Sequence, residues 1–356
     1  MTRFGRVAAI ASAAAVSALL LTACAGGGGN SDLSGDLVGA GSSAQGSAQE
    51  SWIAAFQTAN PNVNITYDPA GSGAGREQFI AGGVAFAGSD SYLNDEELAK
   101  TFAGCAPSTK PFEVPNYISP IAVIYNVDGV TSLNLDASVL AKIFAGKITK
   151  WNDAAIVALN AGTTLPDLAI TAVHRSDKSG TTKNFTDYLN KVAPKDWIEA
   201  AADVFPGKTG EGAQGTSGVV SAVKNGKGTI GYADFSKAAG LGVANIKVGD
   251  KFVAPSAAGA AAVVAESTVV EGRDAADLAF KINRATTDSS HYPLVLVSYI
   301  MGCQEYTDAA TAALVKAYVG YIVSPEGQAV AAKAAGSAPL TAELSAKAAA
   351  IVAAVK

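Results

Sequence analysis

Apolar and polar positions along this chain alternate in stretches that predict short strands. Val63, Ile65 and Tyr67 lie at every second position, which is typical of a half-buried strand. Two apolar runs, 118–125 and 294–300, have the length and composition of strands buried on both faces. Shorter runs at 84–88, 170–174 and 228–232 predict further strands.

Helix signals lie between these strands and after the last one. Asp95, Glu96 and Glu97 in a first turn predict a helix over 94–102, and Asp136 is a candidate cap for a helix that runs through Phe144. Further helices are predicted over 182–189, 308–323 and 342–355, with another start at 324–326. The stretch 207–218 predicts a glycine-rich loop. Strands that alternate with helices predict an α/β fold.

The amino terminus has the pattern of an export signal. Arg3 and Arg6 precede an apolar stretch, 7–21, that is too short for a confident membrane span. Small residues then lead to Cys24, which is typical of a bacterial lipoprotein signal; the alternative is a plain secretory signal with an incidental cysteine. We therefore expect a signal peptide at 1–23 and a flexible tether at 24–36. The exported protein would be attached by the lipidated Cys24 alone to the outer face of the cytoplasmic membrane.

Composition limits the remaining functions. About 330 residues suggest two domains or one two-lobed unit. After loss of Arg3 and Arg6 with the signal, 24 basic residues face 31 acidic ones, a net charge of −7. This balance argues against a nucleic-acid surface. Cys105 and Cys303 remain beside Cys24, and in an exported protein they predict a disulfide rather than two free thiols. Their spacing, and that of the two histidines, matches no metal or redox motif, so no metal and no cofactor is expected.

The segment 175–181 is the strongest candidate for chemistry. It places Arg175, Asp177, Ser179 and Thr181 around Gly180, directly before a predicted helix. A helix start presents unpaired N–H groups and a positive dipole end, and an arginine can bind two oxygens of one anion. The segment therefore indicates an anion site, although an ordinary Ser/Thr-capped turn has the same pattern.

Three other segments repeat this arrangement of small and hydroxyl residues at strand ends. Residues 39–43 and 71–75 are glycine and serine turns before predicted helices, and 88–90 ends a short strand with Asp90. An ionised carboxylate can only accept hydrogen bonds, so Asp90 suits an anion that carries a proton. Each segment alone is also compatible with a purely structural turn or cap.

Taken together, these segments resemble the substrate-binding lipoprotein of bacterial high-affinity phosphate ABC importers, the periplasmic phosphate-binding protein family. The segment 143–153 is also similar to that family. The resemblance implies a two-lobed α/β clamshell of type II, with lobe 1 formed by 37–117 plus 293–356 and lobe 2 by 118–292. It implies no enzymatic activity. Inorganic phosphate would bind between the lobes and pass to the permease and ATPase subunits of an ABC importer.

The resemblance also implies roles for individual residues. Asp90 would accept the proton of the phosphate, and Arg175, oriented by Asp177, would bind its oxygens. The remaining hydroxyl and backbone donors would be Ser43, Ala44, Ser72, Ser179, Gly180 and Thr181. Ala44 stands where the family often has an aromatic residue, so only its N–H is expected to contribute.

Two other functions stay open at this point. A binder of another oxyanion, such as sulfate or molybdate, would use similar donors, although Asp90 disfavours it. A secreted phosphatase would need an activating base or metals beside a serine. His174 adjoins Arg175, but neighbours on a strand point to opposite faces.

Overall fold

The computed structural model describes residues 33–356; the predicted signal, Cys24 and most of the tether lie outside this range. The longer strands are β1 Gly35–Gly41, β2 Val63–Asp68, β3 Phe86–Ser89, β4 Pro111–Asn126, β6 Thr171–Arg175, β8 Thr229–Asp234, β10 Asn245–Val248 and β14 Val295–Cys303. The shorter ones are β5 Asn134–Leu135, β7 Glu211–Ala213, β9 Gly242–Val243, β11 Lys251–Val253, β12 Thr268–Val269 and β13 Phe280–Lys281. The helices are α1 Gly46–Ala59, α2 Ser72–Ile80, α3 Asp95–Leu98, α4 Ala137–Phe144, α5 Ala154–Leu159, α6 Gly180–Val192, α7 Gly215–Asn225, α8 Ala257–Ala265, α9 Ala309–Val323, α10 Pro325–Ala335 and α11 Ala342–Ala353.

One long strand connects the two portions of the main sheet, whose order is β2-β1-β3-β14-β4-β8-β6-β7. Residues 111–120 of β4 pair antiparallel with β14, and residues 121–126 pair antiparallel with β8. We call β2, β1, β3 and β14 with their helices the first portion, and β8, β6 and β7 with theirs the second portion. Nearly all of β4 and all of β14 are buried, as expected of largely apolar strands in the middle of a sheet.

Helices cover the sheet because each buries one apolar stripe against it or against another helix. In the first portion α1 packs on α10, and α9 packs on β1 and α11. In the second portion α7 packs on β6 and β8, and α4 packs on α6. Trp52, Tyr318 and Phe144 are among the large side chains that these contacts bury completely.

Most predicted elements are present, and two predictions need correction. The helix predicted over 94–102 ends at Leu98, although Asn94 and Glu97 form the capping box expected of its start. The chain leaves the helix because Phe102 packs on Phe79, and the Ala103 N–H donates to Ile80 O at the end of α2. The predicted loop at 207–218 contains β7 and the start of α7, since β7 gains a partner in β6.

The predicted disulfide is confirmed: Cys105 is bonded to Cys303. It joins the segment before β4 to the last residue of β14. Across the described chain, none of the helices has both the length and the apolarity that a membrane crossing requires.

The predicted residue boundaries of the two lobes stay a prediction. One set of contacts bears on them: the Glu113 N–H of β4 donates to Ala276 O at 2.9 Å, and the Leu278 N–H donates to Glu113 O at 2.8 Å. Thus the segment 276–278, which the prediction places in lobe 2, is hydrogen-bonded to the part of β4 that it places in lobe 1.

Candidate anion-binding site

Three of the four predicted segments meet at one edge of the sheet. β1 pairs in parallel with both β2 and β3, so the carboxyl ends of these strands lie side by side. The Gly71 N–H donates to Gly41 O and the Ser42 N–H donates to Gly88 O, both at 2.8 Å. The turns at 39–43, 71–75 and 88–90 therefore form one continuous surface.

The segment 175–181 of the second portion lies directly opposite this surface. The Gly73 N–H at the start of α2 donates to Lys178 O at 3.0 Å. Gly71 has φ +108°, and a Cβ there would come within 2.4 Å of Asp177 Oδ2. Only glycine permits this backbone conformation together with such a close approach.

The starts of α2 and α6 come together at Gly180. A Cβ on Gly180 would lie 2.8 Å from Ser72 Oγ and equally close to the main chain of Asp90 and Ser91. Two helix starts therefore bring their positive dipole ends to one small region. This arrangement favours an anion.

Asp90 lies at the centre of this region, and its carboxylate accepts three hydroxyl groups. Ser42 Oγ donates to Oδ1 at 2.5 Å, Thr181 Oγ1 donates to Oδ2 at 2.9 Å, and Ser298 Oγ also donates to Oδ1. The Asp90 N–H donates to Ser72 Oγ at 3.1 Å. Because Asp90 is buried, these donors replace the water that an ionised carboxylate requires.

Arg175 supplies the positive charge of the site. Its side chain is 2% exposed, Nε donates to Asp177 Oδ1 at 2.7 Å, and Nη2 donates to Oδ2. Asp177 Oδ1 also accepts the Gly215 N–H at 3.0 Å. Burial alone raises the pKa of Asp177, but the hydrogen bonds and charge of Arg175 outweigh it, and the pKa is lowered. Asp177 therefore fixes the guanidinium, while Nη1 has no acceptor among residues 33–356.

The other predicted residues line the same region. Ser43 Oγ lies 3.0 Å from Thr216 Oγ1 and accepts the Thr216 N–H at 3.0 Å, a contact between the two portions. The Ala44 N–H donates to Ser42 Oγ at 3.1 Å. Ser179 Oγ accepts the Thr182 N–H at 3.2 Å and so caps α6.

The structure thus brings together the residues predicted to bind the anion, and it adds three that the sequence reasoning missed. Ser42 belongs to the segment 39–43 but was not singled out. Ser298 is the one polar residue of the apolar run 294–300, and such a residue in a buried strand is a signal that could have found it. Thr216 lies in the stretch predicted to be a loop.

The surroundings of His174 do not match a phosphatase. Its ring stacks on Phe205 with centroids 4.2 Å apart, and Nδ1 pairs with Arg175 O. No serine or threonine hydroxyl is its partner among the described residues. Nor do residues 33–356 contain a group of three or more His, Cys, Asp or Glu side chains placed to hold a metal ion.

Comparison with known sequences places this geometry in a family. A model described as a PBP superfamily domain matches residues 27–326. Phosphate-binding protein PstS2 of Mycobacterium bovis is 36% identical over 325 residues, covering 90% of this chain and 87% of the relative. Phosphate-binding protein PstS of Xylella fastidiosa is 34% identical over 283 residues, covering 77% of this chain and 73% of the relative.

Solved structures share the fold. The high-affinity periplasmic phosphate-binding protein PfluDING, solved with phosphate, aligns with a TM-score of 0.70 at 24% identity, over 89% of this chain and 93% of that chain. A phosphate-binding protein from Stenotrophomonas maltophilia aligns with a TM-score of 0.69 at 20% identity, over 89% and 94%. The predicted α/β clamshell is confirmed. We call the first portion of the sheet with its helices the first lobe and the second portion with its helices the second lobe. This chain belongs to the periplasmic phosphate-binding protein family, whose members are substrate-binding proteins of phosphate transporters and not enzymes.

Proposed function

We propose that this protein binds inorganic phosphate between its lobes and delivers it to the permease of an ABC importer. One observation supports the proposal: segments from both lobes meet around the buried acceptor Asp90 and the starts of α2 and α6. The buried Arg175 reaches the same turns, since its Nη2 would lie 3.5 Å from a Cβ on Gly71. The relatives named as phosphate-binding proteins support the same ligand.

Each predicted residue has a defined part in this proposal. Arg175, held by Asp177, binds phosphate oxygens, and Asp90 accepts the O–H of HPO₄²⁻ or H₂PO₄⁻. The remaining donors are the hydroxyls of Ser43, Ser72 and Ser179 and the N–H of Gly180. The Thr181 hydroxyl and the Ala44 N–H, which donate to Asp90 and Ser42 without the ligand, would turn to the anion on binding. Sulfate has no proton at neutral pH, so it would place an oxygen with only lone pairs against the carboxylate of Asp90.

The number of donors is sufficient for tight binding. A charge-assisted hydrogen bond contributes about 1.5–3 kcal/mol net, while association costs about 4–15 kcal/mol. Several such bonds in a dehydrated cleft give a surplus of about 8 kcal/mol, which corresponds to a micromolar dissociation constant.

The proposal includes the location and the partners of the protein. The sequence pattern of an export signal ending at Cys24 supports a lipid anchor on the outer face of the cytoplasmic membrane, from which the predicted tether would let the lobes reach a permease. The ATPase subunit of the importer would act through that permease. Incorporation of labelled palmitate into the parent chain, and its loss in Cys24→Ala, tests the anchor.

The decisive experiment is equilibrium dialysis of the protein with labelled phosphate against an excess of unlabelled sulfate, and separately of molybdate. We expect phosphate to stay bound in both competitions. Displacement by either oxyanion would identify that anion as the ligand, and no binding of any anion would refute the proposal. Hydrolysis of a chromogenic phosphate ester, with and without divalent cations, would instead indicate a phosphatase.

A further inference from the structure

An ion pair between a buried arginine and a partly buried aspartate joins the two lobes at the margin of the candidate site. Arg76 lies on α2 in the first lobe, and Asp203 lies between α6 and β7 in the second. Arg76 Nη2 donates to the carboxylate of Asp203. The side chains are 3% and 17% exposed. Neither residue is among those predicted to bind the anion.

The guanidinium of Arg76 is already oriented by its own lobe. Nε donates to Glu97 Oε1, and Nη1 donates to the hydroxyls of Ser89 and Ser91, each at 2.9 Å. Ser89 and Ser91 flank Asp90 in the chain. Burial alone lowers the pKa of Arg76, but the charges of Asp203 and Glu97 outweigh burial and raise it. Arg76 is thus a fixed cation that faces the second lobe.

Asp203 is tied in turn to the start of α6. Its main-chain oxygen accepts the Ser179 N–H at 2.9 Å, and its Oδ1 accepts Ser91 Oγ at 3.1 Å. The adjacent Ala202 N–H donates to Thr186 Oγ1 at 3.2 Å. A displacement of Asp203 would therefore displace Ser179, which precedes Gly180 and Thr181 in the candidate site.

We propose that Arg76 and Asp203 form a latch that keeps the lobes closed around the bound anion and slows its release. Opening the cleft separates Arg76 from Asp203, whereas Arg76 keeps Glu97, Ser89 and Ser91 in either arrangement. An interaction that exists only in the closed arrangement stabilises that arrangement relative to the open one. Because Arg76 is buried and Asp203 is only 17% exposed, salt screens this pair less than a fully exposed one. Arg76 and Asp203 are thus positioning residues that act on ligand retention without contact to the ligand.

The chain contains a matched control for this latch. Glu77, next to Arg76, pairs across the same cleft with Lys178, and their side chains are 57% and 56% exposed. Exposed pairs contribute little because water and salt screen their charges. Glu77→Gln therefore removes a cross-cleft ion pair of the same kind without removing a buried one.

Stopped-flow release of inorganic phosphate from the full-length chain tests the latch. We expect Asp203→Asn and Arg76→Met to raise the dissociation rate constant about tenfold or more, as for loss of a charge-assisted bond, with little change in association. Glu77→Gln should change it less than about twofold. Ser91→Ala removes only a hydroxyl from the latch, so it is the milder variant if the others fold poorly. If a folded variant of Arg76 or Asp203 released phosphate at the same rate as the parent, the proposal would be overturned.

Two further measurements distinguish a role of the latch in ligand retention from a purely structural role, and test the latch independently of the proposed function. A purely structural role would lower the melting temperature of the phosphate-free variants and leave the dissociation rate unchanged. The release rate can be measured only if phosphate is the ligand, so this test rests on the proposed function. Small-angle scattering of the phosphate-free protein measures its radius of gyration and needs no ligand. If dialysis shows that the parent binds no phosphate, the proposed function fails, and scattering alone decides on the latch. Asp203→Asn should then have a larger radius of gyration than the parent, and equal radii would overturn the latch.

Discussion

Asp90 shows how single side chains set the chemistry of this cleft. Its carboxylate accepts hydroxyls from β14, α6 and the turn after β1, through Ser298, Thr181 and Ser42. An ionised carboxylate can only accept hydrogen bonds, and these three hydroxyls act as its donors. A ligand oxygen placed against Asp90 must therefore bring its own proton.

The first expectation concerns selectivity. Asp90→Asn replaces an acceptor-only carboxylate by an amide that can also donate, so the preference for phosphate over sulfate should fall about tenfold or more. Competitive calorimetric titrations at one pH measure this preference. Asp68→Asn, at the exposed end of β2, is the control and should leave it unchanged. Equal sulfate rejection by Asp90→Asn and the parent would contradict the role of Asp90.

A second buried carboxylate lies where β8 ends beside the centre of β4. Tyr117 Oη donates to Asp234 at 3.0 and 3.2 Å, and the Ser236 N–H and hydroxyl donate to it as well. Burial raises the pKa of Asp234 to about 6, since these donors only partly offset the loss of water. In the unfolded chain the pKa of an aspartate is about 3.9.

This difference makes stability depend on pH with a defined sign. Between about pH 4 and 6 the folded state binds the proton of Asp234 more tightly than the unfolded state, so the free energy of unfolding falls as pH rises through that window. The loss is on the order of 2–3 kcal/mol. The side chain of Asp234→Asn cannot titrate, so the free energy of unfolding of this variant should not show this decline between pH 4 and 6.

Denaturant titrations at several pH values between 4 and 7 measure the effect. The variant should gain stability relative to the parent as pH rises across the window. Asp167→Asn, whose side chain is 65% exposed in the parent, is the control and should follow the parent. Parallel curves for Asp234→Asn and the parent would contradict the pKa argument.

Among elements, the meeting of α2 and α6 decides whether the cleft closes. Both helices begin with a small residue, Ser72 and Gly180, so their starts approach closely enough to share one anion. A single methyl group at Gly180 would meet Ser72 Oγ and the main chain of Asp90 at 2.8 Å, which is shorter than real Cβ contacts.

Gly180→Ala should therefore weaken phosphate binding while leaving the fold stable. We expect the dissociation constant to rise about tenfold or more, because the lobes can no longer close fully. The melting temperature of the phosphate-free protein should stay near that of the parent. Gly46→Ala, at the start of α1 with nothing within 4 Å of the added Cβ, is the matched control. Unchanged affinity in Gly180→Ala would show that α2 and α6 need not approach this closely.

At the level of the whole molecule, β4 runs through both α/β lobes, while the disulfide restrains the first. Cys105 and Cys303 are 198 residues apart, so their bond closes a loop that contains all of the second lobe. Long loops lose the most unfolded-state entropy on closure, which corresponds to about 2–4 kcal/mol in typical proteins. Cys303 lies five residues beyond Ser298 on β14, well away from Asp90 along the strand.

Cys105→Ala/Cys303→Ala should thus lower stability without changing ligand binding. We expect a loss of about 2–4 kcal/mol in the free energy of unfolding and a phosphate dissociation constant within about threefold of the parent. Chemical denaturation and calorimetric titration measure the two quantities. A large loss of affinity at unchanged stability would mean that the bond positions the site rather than restraining the fold.

Local sequence was sufficient to predict the parts of the site. The turns of glycine and hydroxyl residues before helices are recognisable from neighbouring residues in the chain. The same is true of Arg175 and Asp177, which are two positions apart. The alternation of strands and helices likewise predicted the layers, because hydrophobic periodicity and caps are local properties. Prediction failed where distant segments compete: α3 stops short because Phe102 finds Phe79, and β7 forms because β6 lies beside it.

The long-range partners of these residues follow from the folded arrangement alone. Three hydrogen-bonded pairs are far apart in the sequence. Ser298 and Asp90 are separated by 208 positions, Thr216 and Ser43 by 173, and Asp203 and Arg76 by 127. No periodicity or cap encodes such pairs, since they depend on strand order and on how the two lobes face each other. The chain order of residues thus specified the donors and the acceptor, whereas packing of the lobes specified which of them meet.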